Sequence, residues 1–322
     1  MVRTIQGTWP HTRLTWIIGK TEYQLVYDIP DIEFIVFDKK AGWRGYLDVR
    51  RQLRGRRFDV LLHMQMSLRA SMISRFVHSP IKLGFDRQRG KDLQWLFTNH
   101  RIAYQPHQHV IDSFFGFSEA LGIAQKRLLW DIPIPEEART SLQEHLPAGK
   151  PYLVISPCSS MAYRNWDALR YAEVASYANK KYGLAIVLSG GPSAIEHEFG
   201  RLITAHCGCA VTNLIGKTTL KQLLALLQAA KLVIAPDAGP AHLANAMGTP
   251  VIGLYATTNP ERARPYNWPQ YVVNKYPEAI LAKYGKPAAE MPWGTRVRDS
   301  GTMQRIKVED VTNKLDQLFS SV

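Results

Sequence analysis

Short apolar runs alternate with helix-period segments along almost the whole chain. The alternation breaks once, at Trp130-Asp-Ile-Pro-Ile-Pro135, and then restarts. Short continuous apolar runs suit parallel strands covered on both faces. Prolines at the break favour extended chain and forbid helix, which makes it the best domain joint. Before it, the pattern predicts strands over 13–19, 33–37 and 58–64. Helices are expected near 46–53, 69–77 and 109–121, the last stopped by Gly122. After it, strands are expected over 152–156, 184–189, 210–213, 232–235 and 251–255. Helices are expected over 166–182, 196–206, 220–229, 241–247 and 308–319. Two βα series divided by a proline joint describe an α/β chain: two doubly wound, Rossmann-like domains facing a cleft, residues 1–135 and 136–322. A length of 322 residues agrees, because it exceeds what one hydrophobic core usually supports.

Composition narrows the partners. The chain has 40 Lys+Arg against 27 Asp+Glu, a formal charge of +13. Between Lys39 and Lys91 lie 14 basic residues and three acids (Asp48, Asp59, Asp86), so this window alone carries +11. It is either a solvated basic face or a surface for an acidic partner: nucleic acid, anionic membrane or phosphorylated substrate. Three cysteines are too few for a disulfide framework, and Cys207-Gly-Cys209 lacks the second ligand pair of a zinc site. A reducing cytosol is expected. No run approaches a membrane span and no secretory apolar region is apparent.

The strongest local signal is Leu232-Val-Ile-Ala-Pro-Asp-Ala-Gly-Pro-Ala-His-Leu-Ala-Asn-Ala246. An apolar strand runs into Asp237, Gly239 and Pro240, then into a small-residue helix. Asp237 is expected to cap that helix and Pro240 to occupy its first turn. Gly239 lets backbone approach a ligand, and free N–H groups with the helix dipole suit a diphosphate. His242 lies in the same first turn. The alternative is an ordinary capped helix. A second signal, Ser156-Pro-Cys-Ser-Ser-Met-Ala-Tyr-Arg-Asn-Trp166, offers hydroxyls from Ser159 and Ser160 and a cation from Arg164 just past a strand. Gly216-Lys-Thr-Thr-Leu220 lacks P-loop spacing; Lys217 is placed for phosphate contact, and Thr218 or Thr219 for capping. In the first half, Gln65 and Arg69 follow a strand, and Arg87 and Arg89 lie in a basic loop able to grip phosphate or carboxylate.

These motifs resemble glycosyltransferase family 9, the ADP-heptose:lipopolysaccharide heptosyltransferases. Asp237-Ala-Gly-Pro-Ala-His-Leu243, the Ser159/Ser160…Arg164…Trp166 loop and Gln65…Arg69 carry the likeness. Trp16-Ile-Ile-Gly-Lys20, residues 29–38 and Trp293-Gly-Thr-Arg-Val-Arg-Asp299 are similar to the heptosyltransferase I branch. The resemblance implies a GT-B fold and inverting transfer of L-glycero-D-manno-heptose from ADP-heptose to Kdo (octulosonic acid) of the lipid A inner core. It implies no obligatory metal or other cofactor, and a cytoplasmic enzyme peripheral to the inner membrane, whose anionic surface and lipid A phosphates meet the basic window. By position, Ser159, Ser160 and Arg164 would touch the donor diphosphate or heptose. Asp237, Ala238, Gly239 and His242 would hold the sugar-diphosphate, with Lys217 beside the donor. Asn213 stands where the family often has an acidic residue for the ribose. Gln65, Arg69, Arg87 and Arg89 would face the acceptor.

The family opens with a strand and a Gly-Asp loop whose Asp is its general base. Here Val2-Arg-Thr-Ile-Gln6 reads as helix, so the first strand and base loop are expected to be missing and the catalytic residue is unassigned. The alternatives are heptosyltransferase II or another family 9 acceptor, an inactive sugar-nucleotide binder, and a nucleic-acid-binding protein. The last has no recognition motif beside its charge, so no nucleic-acid partner is expected. Oligomeric state is not legible.

Overall fold

Every strand ladder is parallel, as the apolar runs require, and crossover helices join most successive strands. The computed structural model describes residues 1–147 and 149–320. The chain divides into two compact units, Met1–Leu129 and the remainder from Trp130. That division falls at the start of the proline-rich joint. Among the described residues no helix is long and apolar enough to cross a membrane.

The first unit opens with helix α1 (Val2–Thr8), strand β1 (Leu14–Gly19), α2 (Lys20–Val26), β2 (Ile32–Phe37) and α3 (Trp43–Leu53). It continues through β3 (Val60–Leu62), α4 (Leu68–Ser74), β4 (Ile81–Gly84), β5 (His100–Arg101) and α5 (Val110–Ala120). Its strands form two ladders, β1–β2 and β3–β4–β5. One core nevertheless joins them: Ile35 and Phe37 of β2 pack with Val49 and Leu53 of α3 and with Ile73 beside Leu61 of β3. α5 closes with Leu121 and Gly122, whose φ of +88° only glycine takes readily.

The second unit runs α6 (Glu136–Gln143), β6 (Tyr152–Ile155), α7 (Ala168–Tyr182), β7 (Ala185–Leu188), α8 (Ala194–His206), β8 (Val211–Asn213) and α9 (Leu220–Ala229). Then come β9 (Leu232–Pro236), α10 (Gly239–Ala246), β10 (Val251–Tyr255), α11 (Pro260–Ala263), β11 (Val273–Asn274), α12 (Tyr276–Tyr284) and α13 (Val308–Ser320). The sheet order is β11-β10-β9-β6-β7-β8. Central strands β6, β9 and β10 are buried along their whole length. Successive residues point to opposite faces. Thus Leu153, Ile155, Ile234 and Ile252 join the core under α7 and α13, while Tyr152, Val154, Val233 and Val251 join the core under α9 and α10. Asp167 caps α7 by accepting from the Leu169 and Arg170 N–H groups, and Gly183 ends it in the left-handed region. Trp166, fully buried, donates its indole N–H to Ile306 O at 3.0 Å and fixes the loop that precedes α7.

Candidate functional site

In the second unit β6 lies between β9 and β7, so the strand order reverses at β6. In such sheets ligands bind in the crevice beyond the carboxyl ends of the strands flanking the reversal. Two of the loops singled out from sequence leave β6 and β9, and they meet there.

Arg164 closes a short 3-10 turn (Ala162–Arg164) after β6 and reaches across to the end of β9. Its Nη1 donates to Asp237 O at 3.0 Å and lies 3.2 Å from Asp237 Oδ2. Both side chains are nearly buried, at 13% and 11% exposed, so the pair is shielded from screening. His242 Nε2 lies 3.7 Å from Asp237 Oδ1, an ion-pair rather than a hydrogen-bond distance. Burial pushes the Asp237 carboxyl up, but His242 and the Arg164 charge outweigh it and hold the group below the usual carboxylate range. Asp237 is therefore ionised. Arg164 Nε is buried with no partner among the described residues, a donor left for something the chain does not supply.

Asp237 does not cap α10, contrary to the expectation from its residue type. Ala238 is the N-cap residue, and no side chain caps this helix. Asp237 is drawn off by Arg164, which leaves the first turn of α10 open. The Gly239 N–H has no acceptor among the described residues. Gly239 does not adopt a positive φ, and a Cβ built on it would meet nothing within 4 Å. Neither backbone conformation nor packing thus requires glycine at this position. What remains is a helix N-terminus with empty space over it, beside a shielded guanidinium, an arrangement suited to an anion.

The other residues expected on the donor side follow strands of the same sheet. Ser159 is half-buried and Ser160 exposed. The Ser159 hydroxyl accepts from Met161 N at 3.3 Å and keeps its own proton to donate. Asn213 ends β8, two strands from β6, about 10 Å at ordinary strand spacing. Its Oδ1 accepts from Ile215 N at 3.1 Å, and Gly200 leaves room for its amide. Lys217 is exposed in the following loop. Thr219, not Thr218, caps α9 in a capping box with Gln222. Glu196, which the sequence reading passed over, holds the Gly190-Gly191-Pro192 turn by accepting from Gly191 N at 2.7 Å and the Ser193 hydroxyl at 2.6 Å. Its signal was the Ser193-x-x-Glu196 spacing at the start of α8. Burial, with the Glu196 charge, pushes the Cys158 thiol up to about 12, so that thiol is inert.

The residues expected at an acceptor lie in the first unit. Gln65, Arg69 and Arg87 are exposed, with Arg69 in the first turn of α4 behind its Ser67 cap. Arg89 differs. Its guanidinium bonds to the Asp86 carboxylate, to Gln108 Oε1 at 2.7 Å, to the Ser113 hydroxyl at 3.1 Å and to Ala103 O at 2.7 Å. Four of its five donors are engaged by the fold, so Arg89 braces the basic loop rather than facing an acceptor as a free cation. Behind that loop lies a buried network: His63 Nε2 is 3.1 Å from the Ser71 hydroxyl, and Gln94 Nε2 donates to His63 O at 2.7 Å. Burial lowers the His63 pKa to about 4, so the ring is neutral near pH 7. Among the described residues no three His, Cys, Asp or Glu are grouped to hold a metal ion.

A family profile described as glycosyltransferase family 9 (heptosyltransferase) matches residues 46–293. The lipopolysaccharide core heptosyltransferase OpsX of Haemophilus influenzae is 41% identical over 318 residues, covering 99% of this chain and 91% of that protein. Among solved structures, a family 9 glycosyl transferase from Veillonella parvula is similar with a TM-score of 0.81 at 21% identity, covering 100% of this chain and 92% of that one. E. coli heptosyltransferase WaaC, solved with ADP, is similar with a TM-score of 0.72 at 17% identity, covering 98% and 93%. These structural likenesses establish the α/β fold with parallel sheets as that of the GT-B heptosyltransferases.

Proposed function

The chain belongs to glycosyltransferase family 9, the heptosyltransferase family, and on that premise we propose that it transfers L-glycero-D-manno-heptose from ADP-heptose to Kdo of the lipopolysaccharide inner core, the first heptosyl transfer. The open N-terminus of α10 beside the Arg164–Asp237 pair carries the donor half of this reading. The diphosphate takes the space over Gly239, where it accepts from the Gly239 N–H and from Arg164, and the Ser159 and Ser160 hydroxyls donate from the facing loop. Asp237 cannot itself grip a phosphate, since both are anionic; it positions Arg164 and His242, which can. Adenosine extends toward β8, where Asn213 and Lys217 stand, about 14 Å from β9 by strand count.

Chemistry at such a site is a single displacement. The acceptor hydroxyl attacks the anomeric carbon, its proton leaves to a base, and ADP departs with the anomeric bond pair. The fixed N–H groups and Arg164 lower the barrier by meeting charge that grows on the departing diphosphate. No residue of this chain is assigned as the base, and the reading calls for no metal.

The first unit supplies the acceptor side, with Gln65, Arg69 and Arg87. α3 supports residence at an anionic membrane surface: Trp43 and Leu47, one helical turn apart, are 68% and 46% exposed among Arg44, Arg50 and Arg51. The test is calorimetric titration with ADP, followed by incubation with ADP-heptose and either Kdo-lipid A or its singly heptosylated form, read by mass spectrometry. Transfer to Kdo-lipid A is the expected result. Transfer only to the heptosylated acceptor would assign the second heptosyl step. ADP binding without either transfer would leave a sugar-nucleotide binder.

A further inference from the structure

Beyond β10 the chain turns into α11, which carries Arg262 half-buried against the backbone of Gly294: its Nε lies 3.9 Å from where a Cβ on that glycine would stand. The segment that follows the Gly294 turn is fastened to the turn after β10. Thr258 bridges Arg296 antiparallel, and Val297 N donates to Thr257 O at 2.9 Å. The Tyr276 hydroxyl donates to Thr295 O at 3.0 Å and the Tyr284 hydroxyl to Arg296 O at 3.3 Å, so Arg296 is held opposite the turn that leads to Arg262.

Among the described residues neither the Arg262 nor the Arg296 side chain has a hydrogen bond, an ion pair or a ring contact. The acid on α11, Glu261, is already taken by Arg264 at 2.8 Å. The charges that act on Arg262 are Arg296, Asp237 and Arg164. Asp237 is engaged by Arg164 and His242. Arg164 and Arg262 therefore draw on one carboxylate, and Arg296 adds a further positive charge beside Arg262. The Arg262 nitrogens, without a protein partner, are not sealed from solvent, and a planar fork of N–H groups open in this way is complemented best by an oxyanion.

The sheet order says which oxyanion. Adenosine lies toward β8 and the diphosphate at β9 and α10 in the donor placement above. β10 is on the far side of β9 from the nucleoside. The sugar hangs from the distal phosphate, so what lies beyond it, on the β10 side, is the molecule the sugar is passed to. We propose that Arg262 and Arg296 form a second anion subsite, separate from the diphosphate cradle, that takes an acidic group, carboxylate or phosphate, of the acceptor sugar.

The inference rests on the heptosyl-transfer reading, and its test separates the two. The full chain and its Arg262→Gln, Arg296→Gln and Arg298→Gln variants are titrated with ADP and, separately, with Kdo-lipid A in neutral detergent micelles. Arg298 is an exposed neighbour and controls for general attraction between a basic protein and an acidic lipid. The expected result is a tenfold or greater loss of Kdo-lipid A affinity in Arg262→Gln and Arg296→Gln, with ADP affinity within twofold of wild type, and no change in Arg298→Gln. Retained ADP binding also shows that the variants are folded. A parallel loss of ADP affinity would overturn the proposal by assigning these arginines to the donor. Unchanged Kdo-lipid A affinity, or an equal loss in Arg298→Gln, would overturn it as well. Transfer to Kdo-lipid A with unchanged affinity in both variants sinks the subsite alone; a wild-type chain that binds ADP but not Kdo-lipid A sinks the first-transfer reading and the subsite with it.

Discussion

Replacing Gly239 by alanine separates binding from stability at one atom. The native backbone there is open to any residue, since φ is not positive, and the new methyl would meet nothing within 4 Å. The fold therefore loses no contact. At an interior helix position Ala is favoured over Gly by up to about 1 kcal/mol, and in the first turn by less, so unfolding stability should stay level or rise slightly. Ligand binding should respond in the opposite sense. The methyl occupies the approach to the Gly239 N–H and to the mouth of α10. A hydrogen bond from N–H to a charged oxygen contributes about 1.5–3 kcal/mol, which corresponds to a roughly 10- to 150-fold weaker dissociation constant. Calorimetric titration with ADP measures the second effect, and thermal unfolding without nucleotide measures the first. If Gly239→Ala binds ADP as wild type does, the diphosphate does not sit over α10. If instead the variant loses more than about 1 kcal/mol of stability, the glycine is structural and the empty space over it has been misread.

Arg164→Gln strips the nearly buried Asp237 of its ion-pair partner at 3.2 Å, leaving His242 at 3.7 Å and the charge of Arg262, and should lower stability by about 2–4 kcal/mol in urea unfolding, with part regained in Arg164→Gln/Asp237→Asn. His63, its pKa lowered to about 4 by burial, stays neutral in the fold while the unfolded ring takes a proton below about 6.5. Stability is thus full above that value and falls as pH drops toward 4, by on the order of 3 kcal/mol, and His63→Gln should flatten this part of the pH–stability curve. Trp43→Ser/Leu47→Ser removes two exposed apolar side chains from α3, so it should change stability by less than about 0.5 kcal/mol. It should also weaken co-sedimentation with phosphatidylglycerol vesicles and leave ADP affinity alone; unchanged sedimentation would remove α3 from the membrane account.

What could be read from sequence and what could not divides by whether the cause is local. The bounds of β10 and α9 match their expected spans, because an unbroken apolar run and a Thr219–Gln222 box are written in adjacent residues. β4 was missed: Ile81-Lys-Leu-Gly84 alternates too briefly to register, and its Lys82 reaches back to Ser74 O at 3.0 Å, so a charged residue sits in a strand. α6 was missed because only Ala138 and Leu142 are buried on it, although Glu136 and Glu137 in its first turn were a usable signal. The site shows the same division more sharply. Asp237, Gly239 and His242 announce a helix start, and the residues are at that helix start. The cap was wrong because Arg164, far away in sequence, takes the carboxylate. Arg89 reads from sequence as one more loop cation, and only its partners Gln108, Ser113 and Ala103 show it to be a brace. Arg262 is the converse: it stands in an unremarkable Asn-Pro-Glu-Arg stretch, and its interest lies in having no partner once Glu261 has gone to Arg264. Whether a cation is free for a ligand is decided by which carboxylates and carbonyls the rest of the fold brings to it. Charge clusters counted along a chain therefore overstate how many of its cations are left free.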